Sequence, residues 1–308
     1  SWSTSARGDI RTVGMGGGTG GLADTFLAAV DKPSGLAMTL DHGDLTFSSN
    51  DIRDNYIQDP DLPLGLSTYG AALNQYPWGF GLGYGSTYRE GSDDANIQVR
   101  EFRASGARVF RNNTFAVGAS LIFGVSDQKI TDSNDHATAL SVALGGMYQL
   151  PGRLLLGASY RPPMRFAANS PSSLLPAQLP GFFQAIDAPS RLELGVGWIP
   201  NRFVRGAAGL TLVGTSENAA LLRDDTVRVG TSVSFQPKLG LTYIFLDVKH
   251  IKATVYAGSY FEVTRIDGAY NRLHGAIGLE SKLWFITAGL GTDISAKIQM
   301  TATTTIIS

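Results

Sequence analysis

From Trp78 onward, large apolar residues recur at every second position, with small residues between them. Trp78, Phe80, Leu82 and Tyr84 alternate with Gly79, Gly81, Gly83 and Gly85. Phe115, Val117, Ala119, Leu121 and Phe123 alternate with Ala116, Gly118, Ser120, Ile122 and Gly124. Leu154, Leu156, Ala158 and Tyr160 alternate with Leu155, Gly157, Ser159 and Arg161. Leu192, Leu194, Val196 and Trp198 alternate with Glu193, Gly195, Gly197 and Ile199. Val227, Val229, Val233 and Phe235 are interleaved with Arg228, Gly230, Ser232 and Ser234. A period of two puts each set on its own face of a strand.

A soluble antiparallel sheet also alternates, but its second face carries side chains suited to bulk water. Here the second face is glycine, alanine and serine with occasional charge. That suits a crowded lumen, with the large residues turned to lipid. The connections agree. Short turns fall at Gln75-Tyr76-Pro77, Arg111-Asn112-Asn113, Leu150-Pro151-Gly152 and Pro200-Asn201, and longer links at residues 90–96, 131–136, 167–190 and 216–225. Short and long alternate, as they do between the two ends of an outer-membrane barrel. Tyr76, Trp78, Tyr88, Phe110, Tyr148, Tyr160, Trp198, Tyr243 and Trp284 stand near strand ends, where interfacial girdles form. The pattern predicts an all-β fold, a transmembrane antiparallel β-barrel in a bacterial outer membrane.

The first 42 residues break the pattern. The run Gly14-Met15-Gly16-Gly17-Gly18-Thr19-Gly20-Gly21 has no strand stability. Residues 24–30 predict a short helix capped by Asp24 and ended before Lys32-Pro33. Ile10, Val13, Met15, Leu22, Phe26 and Leu27 are apolar anchors that an exposed tail has no use for. Residues 1–42 are therefore expected to be a plug in the lumen, and residues 43–308 the barrel. The remaining 266 residues give about 19 per strand for fourteen strands and about 22 for twelve, and a membrane strand needs ~9–11 plus its share of loop. Fourteen fits better. Residues 226–246, with Pro237 inside, read as one bulged strand or two, and residues 297–307 as a last strand.

Composition narrows the function. The 308 residues carry a net charge of -1, which supplies no basic stripe for nucleic acid. There is no cysteine, so no disulfide and no thiolate metal site is expected. No apolar run approaches the roughly 20 residues of a membrane helix, and no signal peptide opens the chain, as expected for an exported protein whose leader has been removed. Mean hydropathy is near zero. The glycine run is similar to the phosphate loop of tubulin-type proteins, but no βα units precede it and no Gly-Lys-Ser/Thr follows. The four histidines, His42, His136, His250 and His274, have neither metal spacing nor a nucleophile beside them. No cofactor, no metal and no enzyme chemistry are expected.

Charges inside alternating strands are costly on a lipid face. Glu101, Arg103, Arg161, Glu193 and Arg228 are therefore placed on the lumen, where they bind the plug backbone or pair with one another, or line a substrate or ion path. The link 167–190 is unusually apolar, with Leu174, Leu175, Leu179, Phe182, Phe183 and Ile186. It reads as a lid, as a surface that collects apolar ligands, or as both. Phe26 and Leu27, with Met15 as an adaptable filler, are candidate lining for an inner pocket between plug and wall.

Three stretches resemble the FadL family of outer-membrane transporters: Gly14-Met15-Gly16-Gly17, Ala23-Asp24 and Lys32-Pro33-Ser34-Gly35-Leu36-Ala37. The resemblance is specific in the first 40 residues and architectural afterwards. It implies a 14-stranded barrel with an N-terminal hatch. It also implies passive uptake of long-chain fatty acids or aromatic hydrocarbons, with Gly16, Gly17, Asp24, Lys32, Pro33 and Ser34 at the gate. Lys32 stands where the family usually has Asn, and the chain is shorter than the fatty-acid transporters. The implied partners are outer-membrane lipid, lipopolysaccharide and a hydrophobic small molecule or detergent, around a monomer. Some relatives are secretion-system subunits, so a non-transporting structural barrel is the alternative.

Overall fold

The computed structural model describes residues 12, 15, 17, 22, 32–38, 43–52, 64–90, 96–110, 114–130, 133–168, 185–216, 233–263, 271–283 and 286–298. Their strands are β1 Gly43–Ile52, β2 Leu64–Gln75, β3 Trp78–Glu90, β4 Asn96–Phe110, β5 Phe115–Ile130, β6 Ser133–Leu150, β7 Leu154–Arg161, β8 Met164–Ala168, β9 Ala185–Ala188, β10 Arg191–Trp198, β11 Val204–Val213, β12 Ser234–Val248, β13 Ile251–Glu262, β14 Asn271–Leu283 and β15 Ile286–Ile298. All fifteen join one antiparallel sheet. The path runs from β1 to β7, then β10 to β15, and β8 and β9 lie off it. The described path thus has thirteen wall positions, against the fourteen expected. Among the described residues no ladder joins β1 to β15.

The two faces divide as the alternation predicts. Along β4, Phe102 and Phe110 are exposed, whereas Glu101, Arg103, Ser105, Ala107 and Val109 on the other face are buried. Trp78, Phe80 and Leu82 of β3, Leu121 and Phe123 of β5, and Leu194, Val196 and Trp198 of β10 also face outward. The buried face is the inside of a curve. Lys32 reaches Glu193 on β10, and the Ala37 carbonyl accepts from Asn74 on β2. In a flat sheet those strands, six steps apart, would stand about 29 Å from each other. Five residue steps of chain span at most about 18 Å. Side chains extend that reach, but residues 32–37 are also all buried, which a flat sheet with an open face would not give them; the sheet curls around them.

Some boundaries differ from the expectation. Residues 131–136 are not a long link, because β6 begins at Ser133 and pairs with Ile130. Its first residues are polar, and a strand that runs past the hydrocarbon layer has no need to be apolar. Residues 226–246 do not hold two strands within their described part: β12 runs unbroken through Pro237 to Val248, with its irregularity at Ile244/Leu246. Lys297 does not open a last strand; it lies near the end of β15, which begins at Ile286. The link 167–190 is strand at both ends, where β8 pairs with β9. The remaining links keep the expected order, with 91–95, 169–184, 217–232 and 264–270 at one end of the sheet, and 76–77, 151–153 and 249–250 at the other. The expected turn at residues 111–113 and the helix at 24–30 lie outside the described residues.

One ladder lapses. β6 pairs with β7 up to Leu144↔Tyr160 and next pairs with β8 at Thr138↔Ala167. Residues 139–143 and 161–166 are not paired with each other in between. The interruption sits at Pro162-Pro163, which have no N–H to donate. Burial also shifts register there: Ser159 and Arg161 are buried before it, Met164 and Phe166 after it. One extra residue has entered the strand, as in a β-bulge.

A candidate lumenal binding site

Residues 32–38, which carry most of the family-like motif, are the longest described stretch of the N-terminal segment. The Lys32 and Pro33 carbonyls accept from the Gly35 and Leu36 amides, at 3.0 and 3.2 Å, and start a single helical turn, α1 Gly35–Met38. The sequence reading had no helix here. Its backbone lies directly on wall glycines. A Cβ at Gly118 would meet the Pro33 carbonyl carbon at 2.5 Å, and one at Gly79 the Leu36 oxygen at 2.5 Å. A Cβ at Gly145 would meet Ser34 Oγ at 3.1 Å. Only a residue without a side chain lets two backbones approach so closely. Farther round the curve, a Cβ at Gly240 would stand 2.8 Å from the Met15 Cβ, and Thr242 Oγ1 donates to Met15 Sδ at 3.3 Å. The odd glycine face is thus, in part, the seat of the N-terminal segment.

Beside that seat lies a buried charge cluster. Glu101 on β4 accepts from Arg103 at 2.6 Å and from Arg161 of β7 at 3.3 Å. Glu193 on β10 pairs with Arg191 and, at 3.2 Å, with Lys32. Lys238 of β12 is close enough to act on Glu193 electrostatically. A small cavity of about 20 Å³, room for about one water, is lined by Arg103, Ala143, Ser159, Tyr160, Arg161, Arg191 and Glu193. It lies at the lapsed β6–β7 ladder, and Tyr160, which lines it, belongs to the outward-facing set.

Toward the long-link end the inner face turns apolar. Val99, Ile122, Ala137 and Ala143 of the wall pack with Met164, Phe166 and Ala188 of β8, β9 and the break. The Phe166 ring lies on Gly124, where a Cβ would meet its Cε1 at 2.6 Å. The Met164 and Phe166 side chains therefore cap the inner face here, while the backbone of β8 stays in the wall beside β6.

The structure brings Met15, Gly17, Lys32, Pro33 and Ser34 onto the wall, all buried. Gly17 donates to the Thr12 carbonyl at 2.7 Å. Ile186 is placed by its backbone, opposite Phe166. Gly16, Asp24, Phe26, Leu27, Leu174, Leu175, Leu179, Phe182 and Phe183 lie outside the described residues, as does Arg228. Glu101, Arg103, Arg161 and Glu193 are inward and paired, as expected. Sequence reasoning missed Arg191, Lys238, Met164, Phe166 and the seat glycines. The glycines had a signal, since they share the inner register of the charged positions. Arg191 and Lys238 had none, because partner strands far apart in sequence bring them in.

No family profile matches the chain, and no curated protein sequence matches it. Solved structures do. A Pseudomonas aeruginosa FadL homologue is similar over 94% of this chain and 90% of its own, at 12% identity and a TM-score of 0.63. The CymD monoaromatic hydrocarbon channel is similar over 95% and 94%, at 12% identity and a TM-score of 0.66. Both likenesses span almost the whole length of each chain, so this protein has the same β-barrel fold as these two proteins.

Proposed function

We propose that the protein is a passive outer-membrane channel for hydrophobic small molecules, with residues 1–42 as its plug and residues 43–308 as its barrel. The observation that carries this is the seating of residues 32–37 against the inner glycines of a FadL-type fold. A segment held inside the wall by backbone contact, a salt bridge and a methionine anchor obstructs the lumen. Among the described residues no group of His, Asp and Glu side chains could hold a metal ion. Transport without chemistry is the reading that uses the parts present.

Between the two substrate classes, the charge cluster favours an amphipathic acid over a neutral hydrocarbon. Lys32, Arg103, Arg161, Arg191 and Lys238 are gathered around Glu101 and Glu193. Guanidinium and ammonium donors beside a cavity suit an anionic head. The apolar cap of Met164 and Phe166 suits the tail, and the apolar link 174–186 is the surface that collects it. The lapsed ladder beside the cavity offers a way between lumen and lipid, since unpaired backbone is tolerated at membrane depth only where it lines a cavity.

The test compares cells with and without the protein for growth on long-chain fatty acids and on aromatic hydrocarbons. Faster growth on the acids is expected. In planar bilayers the intact protein should be quiet, and removing residues 1–30 should open a conducting pore. A chain that speeds uptake of nothing, intact or truncated, is the non-transporting structural barrel instead.

A further inference from the structure

We infer that Arg100, Lys129 and His136, on the outward face at the long-link end, form a binding site for the phosphate of a lipopolysaccharide headgroup. This rests on the outer-membrane reading above. The register sets Gln98, Asp127 and His136 side by side on β4, β5 and β6, with Arg100 two residues nearer the apolar belt and Lys129 two residues beyond it. These positions share the face of Phe102, Phe123 and Leu140, which are exposed.

The level is fixed by the rings just below. Tyr69, Tyr84, Phe102 and Phe123 run across four adjacent strands with centroids 5.7, 5.0 and 6.5 Å apart. An unbroken aromatic row marks the edge of the hydrocarbon. Two residues further along a strand is about 6.6 Å, which is headgroup height. The long links stand at this end, and long links are the outer ones in such barrels. The phosphate-bearing lipid of that leaflet is lipopolysaccharide.

The site is organised before any lipid arrives. The Asp127 carboxylate accepts from the Arg100 guanidinium and bonds His136 Nδ1 at 2.6 Å, so it holds both rigidly. Arg100 stays partly open beside that contact, with 35% of its side chain exposed. Two permanent cations then answer one carboxylate, with His136 as a third polar arm. The guanidinium fork is matched to phosphate oxygens. At the opposite end of the wall, Arg108 is held differently, over the rings of Trp78 and Phe110 at 4.8 and 5.0 Å. Among the described residues it has no such cluster, and it serves as the control.

The experiment measures thermal unfolding of the full-length protein in detergent, with purified lipopolysaccharide, phosphatidylglycerol or inorganic phosphate added. A ligand that binds only the folded state raises the midpoint. Lipopolysaccharide is expected to raise it by several degrees, the R100Q/K129Q double variant to lose about half or more of that rise, and R108Q to keep it. K129E alone, at an exposed position, should act in the same direction if the double variant folds poorly. An undiminished rise in both the double variant and K129E overturns the site. So does an equal rise with phosphatidylglycerol. A rise with inorganic phosphate alone shows a free-anion site in place of a lipid one. The quiet channel and its opening by truncation are unaffected by any of these outcomes, so the transport reading is tested separately.

Discussion

Residues 32–38 and the Met164 and Phe166 side chains of β8 both lie on the inner face of the sheet, yet the wall meets them in different ways. The first rests its own backbone on Gly79 and Gly118 and adds the Lys32–Glu193 ion pair. The second rests side chains, with the Phe166 ring on Gly124 and Met164 beside it. A ring can turn away from an intruding methyl, but backbone against backbone has no such freedom. The N-terminal seat should therefore be brittle to substitution and the cap forgiving. One position can be lost without the other, because the two sites share no described contact.

The largest expected effect is the combined Gly79→Val and Gly118→Val change. Each forces a side chain into backbone atoms, at about 1–3 kcal/mol or more apiece. Residues 32–37 should leave the wall, and the quiet protein should conduct in planar bilayers while keeping its heat-shifted mobility on gels. An unchanged closed state would mean that the seat is not what obstructs the lumen.

Phe166→Ala comes next. A fully buried phenylalanine contributes about 3–5 kcal/mol when truncated. Unfolding in urea from lipid vesicles should report that loss, while Gly124→Ala, where the ring can yield, should cost less than about 1.5 kcal/mol. If the two are equally damaging, the cap is as rigid as the seat and the comparison fails.

The ion pair is smaller and asymmetric. Glu193→Gln leaves Lys32 and Arg191 buried without their carboxylate, which should cost about 3 kcal/mol. Lys32→Met leaves Glu193 still paired with Arg191, and about 1 kcal/mol is expected. Urea midpoints of the two variants check the order; a reversed order would show that Lys32 is the keystone. The smallest change is Gly145→Ala. The nearest atoms to the added methyl are Ser34 Oγ and the Pro33 ring at 3.1–3.4 Å, and Ser34 Oγ is buried without a hydrogen-bond partner, so it has no bond to break by rotating. Near-wild-type stability and an unaltered closed state are expected there.

Much of this was legible along the chain. The outward set from Trp78 to Trp198 could be read residue by residue, because lipid imposes one requirement on every second position. Glu101, Arg103, Arg161 and Glu193 were placed inward by the same rule. Where the rule stops applying, reading failed: Ser133 to His136 looked like a loop because a strand beyond the hydrocarbon is free to be polar. Pro162-Pro163 marks the lapsed ladder, yet two prolines alone do not reveal that pairing resumes at Ala167 with a one-residue shift.

The sequence by itself determined which side of each strand faces lipid, which end carries the long links, and that the first 42 residues are built differently. Those are local consequences of side-chain period, glycine content and turn chemistry. Only the tertiary structure decided what the inner glycines are for. Gly79, Gly118, Gly145 and Gly240 sit on four strands far apart in sequence, and curvature turns them into one seat for Met15 and residues 33–36. The same curvature sets Lys32 beside Glu193 and gathers Arg103, Arg161 and Arg191 around one cavity. Such partners are chosen by how the sheet closes on its contents, which no periodicity within a single strand encodes.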